Sequence, residues 1–121
     1  MHVQSLFPMQ NTKPYCLALD LKEDAGLIEE YKYWHKPEHI WKEIPEGISK
    51  AGILDMEIYL LGNRLFMIME TAPGFDFDRD MKFLAQLPGQ KEWEEFVTRF
   101  QKVDVDKPGE KWQLMERIFK L

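Results

Sequence analysis

Two short stretches limit what this chain can become. YCLALDL, residues 15–21, and RLFMIMET, Arg64–Thr71, carry apolar side chains at both odd and even positions. A strand sends successive side chains to opposite faces, so a strand apolar throughout needs cover on both. Ile53–Leu61 lies just before the second of them and alternates instead: Leu54, Met56, Ile58 and Leu60 face one way, Asp55, Glu57 and Tyr59 the other. Gly62-Asn63 then joins it to RLFMIMET as a tight hairpin turn. The sheet so defined must be covered by helices on one side and by something else on the other.

The helices follow from spacing and punctuation. Asp24 is placed to cap a helix running to about His35, and Pro37 stops it. Ile40, Trp41, Ile44, Ile48 and Ala51 share a second stripe, interrupted by Pro45, where a kink or a fresh start is expected, and capped by Gly52. Phe77, Met81, Leu84 and Ala85 form a third stripe that ends at Pro88. Trp93, Phe96, Val97 and Phe100 form a fourth, beginning at Gln90. Residues 1–13 read as a loose arm, Pro108-Gly109 as a turn in a polar connection, and LMERIFKL as a terminal strand. The order is strand, helices, strand, strand, helices, strand. It is the split βαβ of an α+β, ferredoxin-like fold, a four-stranded antiparallel sheet with helices on one face. A chain of 121 residues makes one such domain, spanning 14–121. A second copy closing over the bare face would make a two-fold homodimer. A pocket is expected between that uncovered face and the helices or loops at its edge.

Charge narrows the partners. The net charge is −5, with acids and bases interspersed, so neither nucleic acid nor an anionic membrane surface is expected to bind. No apolar run reaches membrane-spanning length, and MHVQSLFPMQNTK lacks the continuous apolar segment of a secretory signal. The single cysteine, Cys16, has no internal partner and reads as a buried small hydrophobe in a reducing compartment. These features together point to the cytoplasm.

The chemistry gathers in residues 29–44, EEYKYWHKPEHIWKEI, which hold two of the three histidines and two of the four tryptophans. Leu27, Ile28, Tyr31, Trp34 and His35 share one helical face, apolar except for a phenol and an imidazole one turn apart. An imidazole there is suited to acid–base work near neutral pH, and equally to a hydrogen-bonded place in the core. His35 and His39 have the spacing of a metal-binding pair, but Pro37 between them breaks the helix such a pair needs. Trp93 is either core filler or an apolar wall for a ligand. No glycine-rich phosphate loop or zinc motif is present, and no cofactor is expected.

Several of these residues resemble the L-rhamnose mutarotase family, small dimeric α+β barrel proteins that interconvert the α and β anomers of a sugar. The likeness is carried by Glu30-Tyr31 followed by His35, then Ile40-Trp41 and Glu43. It extends to the hairpin Ile58-Tyr59-Leu60 to Leu65-Phe66-Met67, to Trp93 in QKEWEEF, and to the ending Arg117-Ile118-Phe119-Lys120-Leu121. The resemblance implies His35 as catalytic proton donor, Tyr31 as a substrate-binding residue and Trp93 as a wall of the sugar site. Mutarotation moves a proton between the anomeric hydroxyl and the ring oxygen, and a positioned acid–base group contributes on the order of 10²–10⁴ to such a step. The chain departs from the family at three places. Residues 36–39 make a longer link before Ile40-Trp41. Met56 stands where a tyrosine is common, and Glu92 precedes Trp93 where a tryptophan pair occurs. Met56 and Glu92 are therefore expected to line the substrate site, and the expected substrate is a 6-deoxyhexose, L-rhamnose or a related sugar, with L-fucose as the second candidate. The alternatives on the same barrel are a small monooxygenase, cofactor-independent or haem-related, and a non-catalytic ligand-binding module.

Overall fold

The computed structural model describes residues 12–103 and 111–121. Four strands, β1 (Lys13–Asp20), β2 (Ile53–Leu61), β3 (Arg64–Thr71) and β4 (Gln113–Leu114), make one antiparallel sheet in the order β2-β3-β1-β4. The helices α1 (Ala25–Trp34), α2 (Glu43–Lys50), α3 (Phe77–Ala85) and α4 (Gln90–Val97) lie on one side of it, and a 3₁₀ turn at Thr98–Phe100 extends α4. This is the ferredoxin-like α+β fold expected from the pattern.

Local chemistry explains the boundaries. Asp24 accepts from the Leu27 amide at 2.9 Å and so starts α1. Asp76 does the same for α3, accepting from the Arg79 amide at 2.8 Å. α1 ends at Trp34, ahead of Pro37. The helix containing Pro45 does not kink. It starts at Glu43, so the proline falls in the first turn, where its missing N–H has no intrahelical partner to lose. Gly62, at φ 64°, takes the first central position of the two-residue β2–β3 turn.

The inner face of the sheet carries Leu17, Leu19, Leu65, Met67 and Met69, all buried under the helices. They meet the buried Tyr31, Ile44, Leu84, Trp93, Val97 and Phe100 from the helical layer. Four expectations need correction. A bulge between Ile53 and Asp55 throws Leu54 out of phase with Met56 and Ile58, and it is exposed rather than inward. Cys16 is exposed, because it alternates with Leu17 and falls on the face the helices leave bare. The run LMERIFKL is not a full strand. Only Gln113 and Leu114 pair with β1, Met115 adds one amide bond to the Cys16 carbonyl at 2.7 Å, and Ile118, Phe119 and Leu121 are exposed. Finally, β1 begins at Lys13, inside the segment read as an arm. Residues 1–11 of that arm, and the Pro108-Gly109 turn, lie outside the described residues.

Candidate active site

Tyr31 and His35 are one turn apart on α1 and its cap, and their rings lie against each other with centroids 4.1 Å apart. Burial of the Leu27, Ile28 and Tyr31 stripe against the core turns this face inward, so the imidazole reaches the interior from the helix end. His35 Nδ1 sits 2.7 Å from the Tyr31 carbonyl oxygen. A carbonyl only accepts, so Nδ1 carries the hydrogen and Nε2 keeps the lone pair. Burial lowers the His35 pKa below its ordinary 6.5, outweighing the opposing effect of the Tyr31 carbonyl. His35 is thus a neutral imidazole at pH 7 with Nε2 ready to accept a proton. Burial, with the nearby Glu94 charge, raises the Tyr31 pKa well above the ordinary phenol value. That phenol stays protonated.

Both residues line a cavity of about 130 Å³ between the inner sheet face and the helices. The sequence had suggested the uncovered face instead. The cavity lies on the covered side because the helices stand off the sheet where Met56, Ile58 and Met67 meet Ile44, Ile48 and Met81. Its walls are mostly apolar. The polar side chains among them are His35, Tyr31, Gln90, Glu94 and Gln101. A larger hollow of about 500 Å³ beside Asp20, Arg64 and Lys102 has no histidine, tyrosine or tryptophan among its described lining residues.

The expected site residues separate clearly. His35, Tyr31, Trp93 and Met56 all line the cavity. Trp93 also packs against His35 at 5.4 Å and Trp41 at 5.1 Å, edge to face, so it is core and wall together. Glu92 is not brought in. It is exposed, since neighbours on a helix point about 100° apart and Trp93 takes the inward direction. Glu94 takes the place expected of it. Its carboxylate accepts from the buried Gln90 amide at 2.8 Å and lies 3.9 Å from Lys111 Nζ. Lys111 also donates to the Glu94 backbone carbonyl and to Thr98 Oγ1, which fixes the start of the β4 segment to the end of α4. Gln90, Glu94 and Val97 have the i, i+4, i+7 spacing that shares a face, so periodicity alone could have preferred Glu94 over Glu92.

Gly89 sets the direction of α4. Its φ is +81°, and a Cβ there would collide with the Glu43 side chain. Only glycine fits, and α4 leaves from it with Gln90, Trp93 and Glu94 in place. His39 stacks on Tyr33 at 3.9 Å, whereas His35 lies on Tyr31 and Trp93, so the two imidazoles serve different neighbours. Among the described residues no three His, Cys, Asp or Glu side chains gather to hold a metal. No helix among them is long and apolar enough to cross a membrane.

Comparisons with known proteins bear on the fold and on the family. The family model described as L-rhamnose mutarotase matches residues 14–121. The chain is 39% identical over 107 residues to an L-fucose mutarotase of Xanthomonas campestris pv. campestris, covering 88% of this chain and 86% of the relative. It is 40% identical over 114 residues to a UPF0734 protein of Dictyostelium discoideum, covering 90% of each. The crystal structure of an L-rhamnose mutarotase from Formosa agariphila shares the fold, with a TM-score of 0.68 over 90% of this chain and 98% of that one, at 19% identity. The monooxygenase alternative draws no support from these relatives. With its fold, its matched span and its relatives in agreement, the chain belongs to the L-rhamnose mutarotase family, isomerases that interconvert the anomers of a sugar.

Proposed function

We propose that this chain equilibrates the anomers of a 6-deoxyhexose, with His35 as the acid–base residue, and that L-fucose is its preferred substrate. The observation that carries the reading is the Nδ1 bond of His35 to the Tyr31 carbonyl, which leaves Nε2 basic in a largely apolar cavity. Nε2 takes the proton from the anomeric hydroxyl. The C1–O5 bond breaks, its electron pair goes to the ring oxygen, and C1 becomes the aldehyde carbon. Both oxygens are borne by C1, so the imidazolium can pass the same proton to O5. Rotation about C1–C2 presents the other aldehyde face, and the steps reverse. Proton gain and loss balance at His35, which acts as base and then as donor. Tyr31, kept protonated by burial, gives a hydrogen bond to a substrate oxygen.

The substrate proposal rests on three supports. Trp93 offers an apolar wall to the C–H face of the sugar. Met56 brings a thioether rather than a phenol, which suits the methyl of a 6-deoxy sugar. A relative 39% identical to this chain bears the name L-fucose mutarotase. Anomer-exchange NMR on L-fucose and L-rhamnose tests the reading. Faster exchange of L-fucose is expected. No acceleration of either sugar would remove the mutarotase assignment, and a preference for L-rhamnose above about tenfold, unchanged in Met56→Tyr, would remove the substrate.

The working unit proposed is a homodimer of the domain 14–121, in the cytoplasm. The bare sheet face exposes Tyr59, Leu61 and Ile68, and beyond β4 lie the exposed Ile118, Phe119 and Leu121. Apolar surface of this extent is favourably covered by a second copy. The cytoplasmic placement is supported by the lone exposed thiol of Cys16, which a reducing compartment preserves.

A further inference from the structure

The most deeply buried polar residue of the cavity has no role so far. Gln101 is only 2% exposed, lines the cavity, and its side-chain Oε1 has no hydrogen-bond partner among the described residues. Its position is fixed by the backbone. Gln101 forms an isolated antiparallel bridge with Leu21, which is completely buried. Partners across such a bridge point to the same face, so the amide is directed under the helices beside Leu21. The flanking bonds, Lys22 N–H to the Phe100 carbonyl and Lys102 N–H to the Asp20 carbonyl, both 2.9 Å, lock that register. A buried amide left unpaired is costly, and turning it end for end only exchanges an orphan acceptor for an orphan donor. The other polar groups do not relieve it. Gln90 directs its amide to Glu94, and His35 directs Nδ1 to the Tyr31 carbonyl, leaving Gln101 Oε1 without a partner among the described residues.

We infer that the Gln101 amide binds a ring hydroxyl of the sugar and determines which hydroxyl pattern the site accepts. The inference rests on the mutarotase reading above and adds a residue that reading does not need. A hydroxyl both donates and accepts, so it can satisfy either end of the amide. A sugar with that hydroxyl in place completes the pair, whereas an epimer or deoxy analogue leaves a buried polar group unmatched. Sites of this kind discriminate far more strongly than apolar walls do. A carboxamide neither gains nor loses a proton near neutral pH, so the contact positions the ring without taking part in proton transfer.

The test combines a variant with a spectroscopic probe on the wild-type protein. Gln101→Met keeps the volume and removes the amide, so its melting temperature should be unchanged or higher. Its KM for L-fucose should rise about tenfold with kcat nearly constant, the signature of a lost binding contact. Across monodeoxy analogues of L-fucose, the wild type should penalise one position, and Gln101→Met should erase that penalty alone. A penalty pattern identical in both proteins would overturn the inference. Independently, the side-chain amide resonances of Gln101 should shift when L-fucose or L-rhamnose is added to the wild type. If exchange is catalysed but these resonances stay still, this inference falls while the mutarotase reading stands. If they shift and no sugar is turned over, the inference survives as ligand binding and the mutarotase reading falls. A variant that fails to fold leaves the resonance test decisive.

Discussion

The two faces of the sheet are built from the same apolar strands and come to opposite ends. On the inner face Leu17, Leu19, Met67 and Met69 vanish under four helices, and the space left over is a cavity holding His35 and Tyr31. On the outer face Tyr59, Leu61 and Ile68 remain in contact with solvent, with Cys16 among them. The inner face spends its apolarity on making a neutral imidazole and a protonated phenol. The outer face leaves its own exposed, the surface on which the proposed second copy would rest. Two-sided apolar strands therefore carry two separate messages, one about chemistry and one about assembly.

The sharpest contrast lies inside the inner face itself. His35→Ala should lower the anomer-exchange rate roughly 10²-fold or more, the contribution of a positioned acid–base group. His39→Ala, outside the cavity, should keep at least half the activity. Equal losses in both would erase the distinction between the two imidazoles. Next in size is the hinge on which α4 depends. Gly89→Ala forces a left-handed φ on a residue with a Cβ and should cost about 1–2 kcal/mol in chemical denaturation. An unchanged midpoint would mean that α4 tolerates another departure angle.

The outer face has its own probe. Ile68→Glu should leave the secondary structure intact and convert a light-scattering dimer to monomer at micromolar concentration. A wild type that is already monomeric would detach assembly from the outer face altogether. The smallest effect concerns pH. Because burial holds the His35 pKa below 6.5, the active base form persists as pH falls and is lost only through that lowered value. The acid limb of kcat/KM should thus have its midpoint below 6.5, and one above it would place His35 in a wetter site than the cavity provides. By linkage, the depressed native pKa makes its contribution fully present above 6.5 and withdraws it as pH drops toward the native value.

Much of this was legible in the order of residues. Asp24, the stripe through Tyr31 and His35, and Pro37 together specify α1 and the position of its histidine, because each acts locally. Gly62-Asn63 does the same for the hairpin. What escaped was set by distance. Leu54 faces outward because of a bulge, and no propensity at Leu54 signals one. Glu92 was favoured by likeness to a tryptophan pair, while helix geometry gives the inward place to Glu94. Gln101 follows the end of a helical stripe and reads as an ordinary polar residue. Its burial comes from the bridge to Leu21, a contact between the two ends of the domain. The extent of β4 was likewise invisible, since a strand is as long as its partner's pairing, and β1 pairs with only two of its residues.

The spacing of the strands along the chain also bears on how the molecule reaches this state. β2 and β3 are joined by two residues and can zip together as soon as they exist, whereas β1 and β4 must find each other across nearly the whole chain. Closing a short loop loses less entropy than closing a long one, so the hairpin is expected to form first and the β1–β4 clasp last. Unfolding should start where folding ends. Amide hydrogens of β4 and of the Leu21–Gln101 bridge should trade for deuterium well before those of β3. Leu17 of β1, Gln101 and Trp112 line the cavity beside that clasp, so a chain in which the clasp has not closed lacks part of the cavity wall.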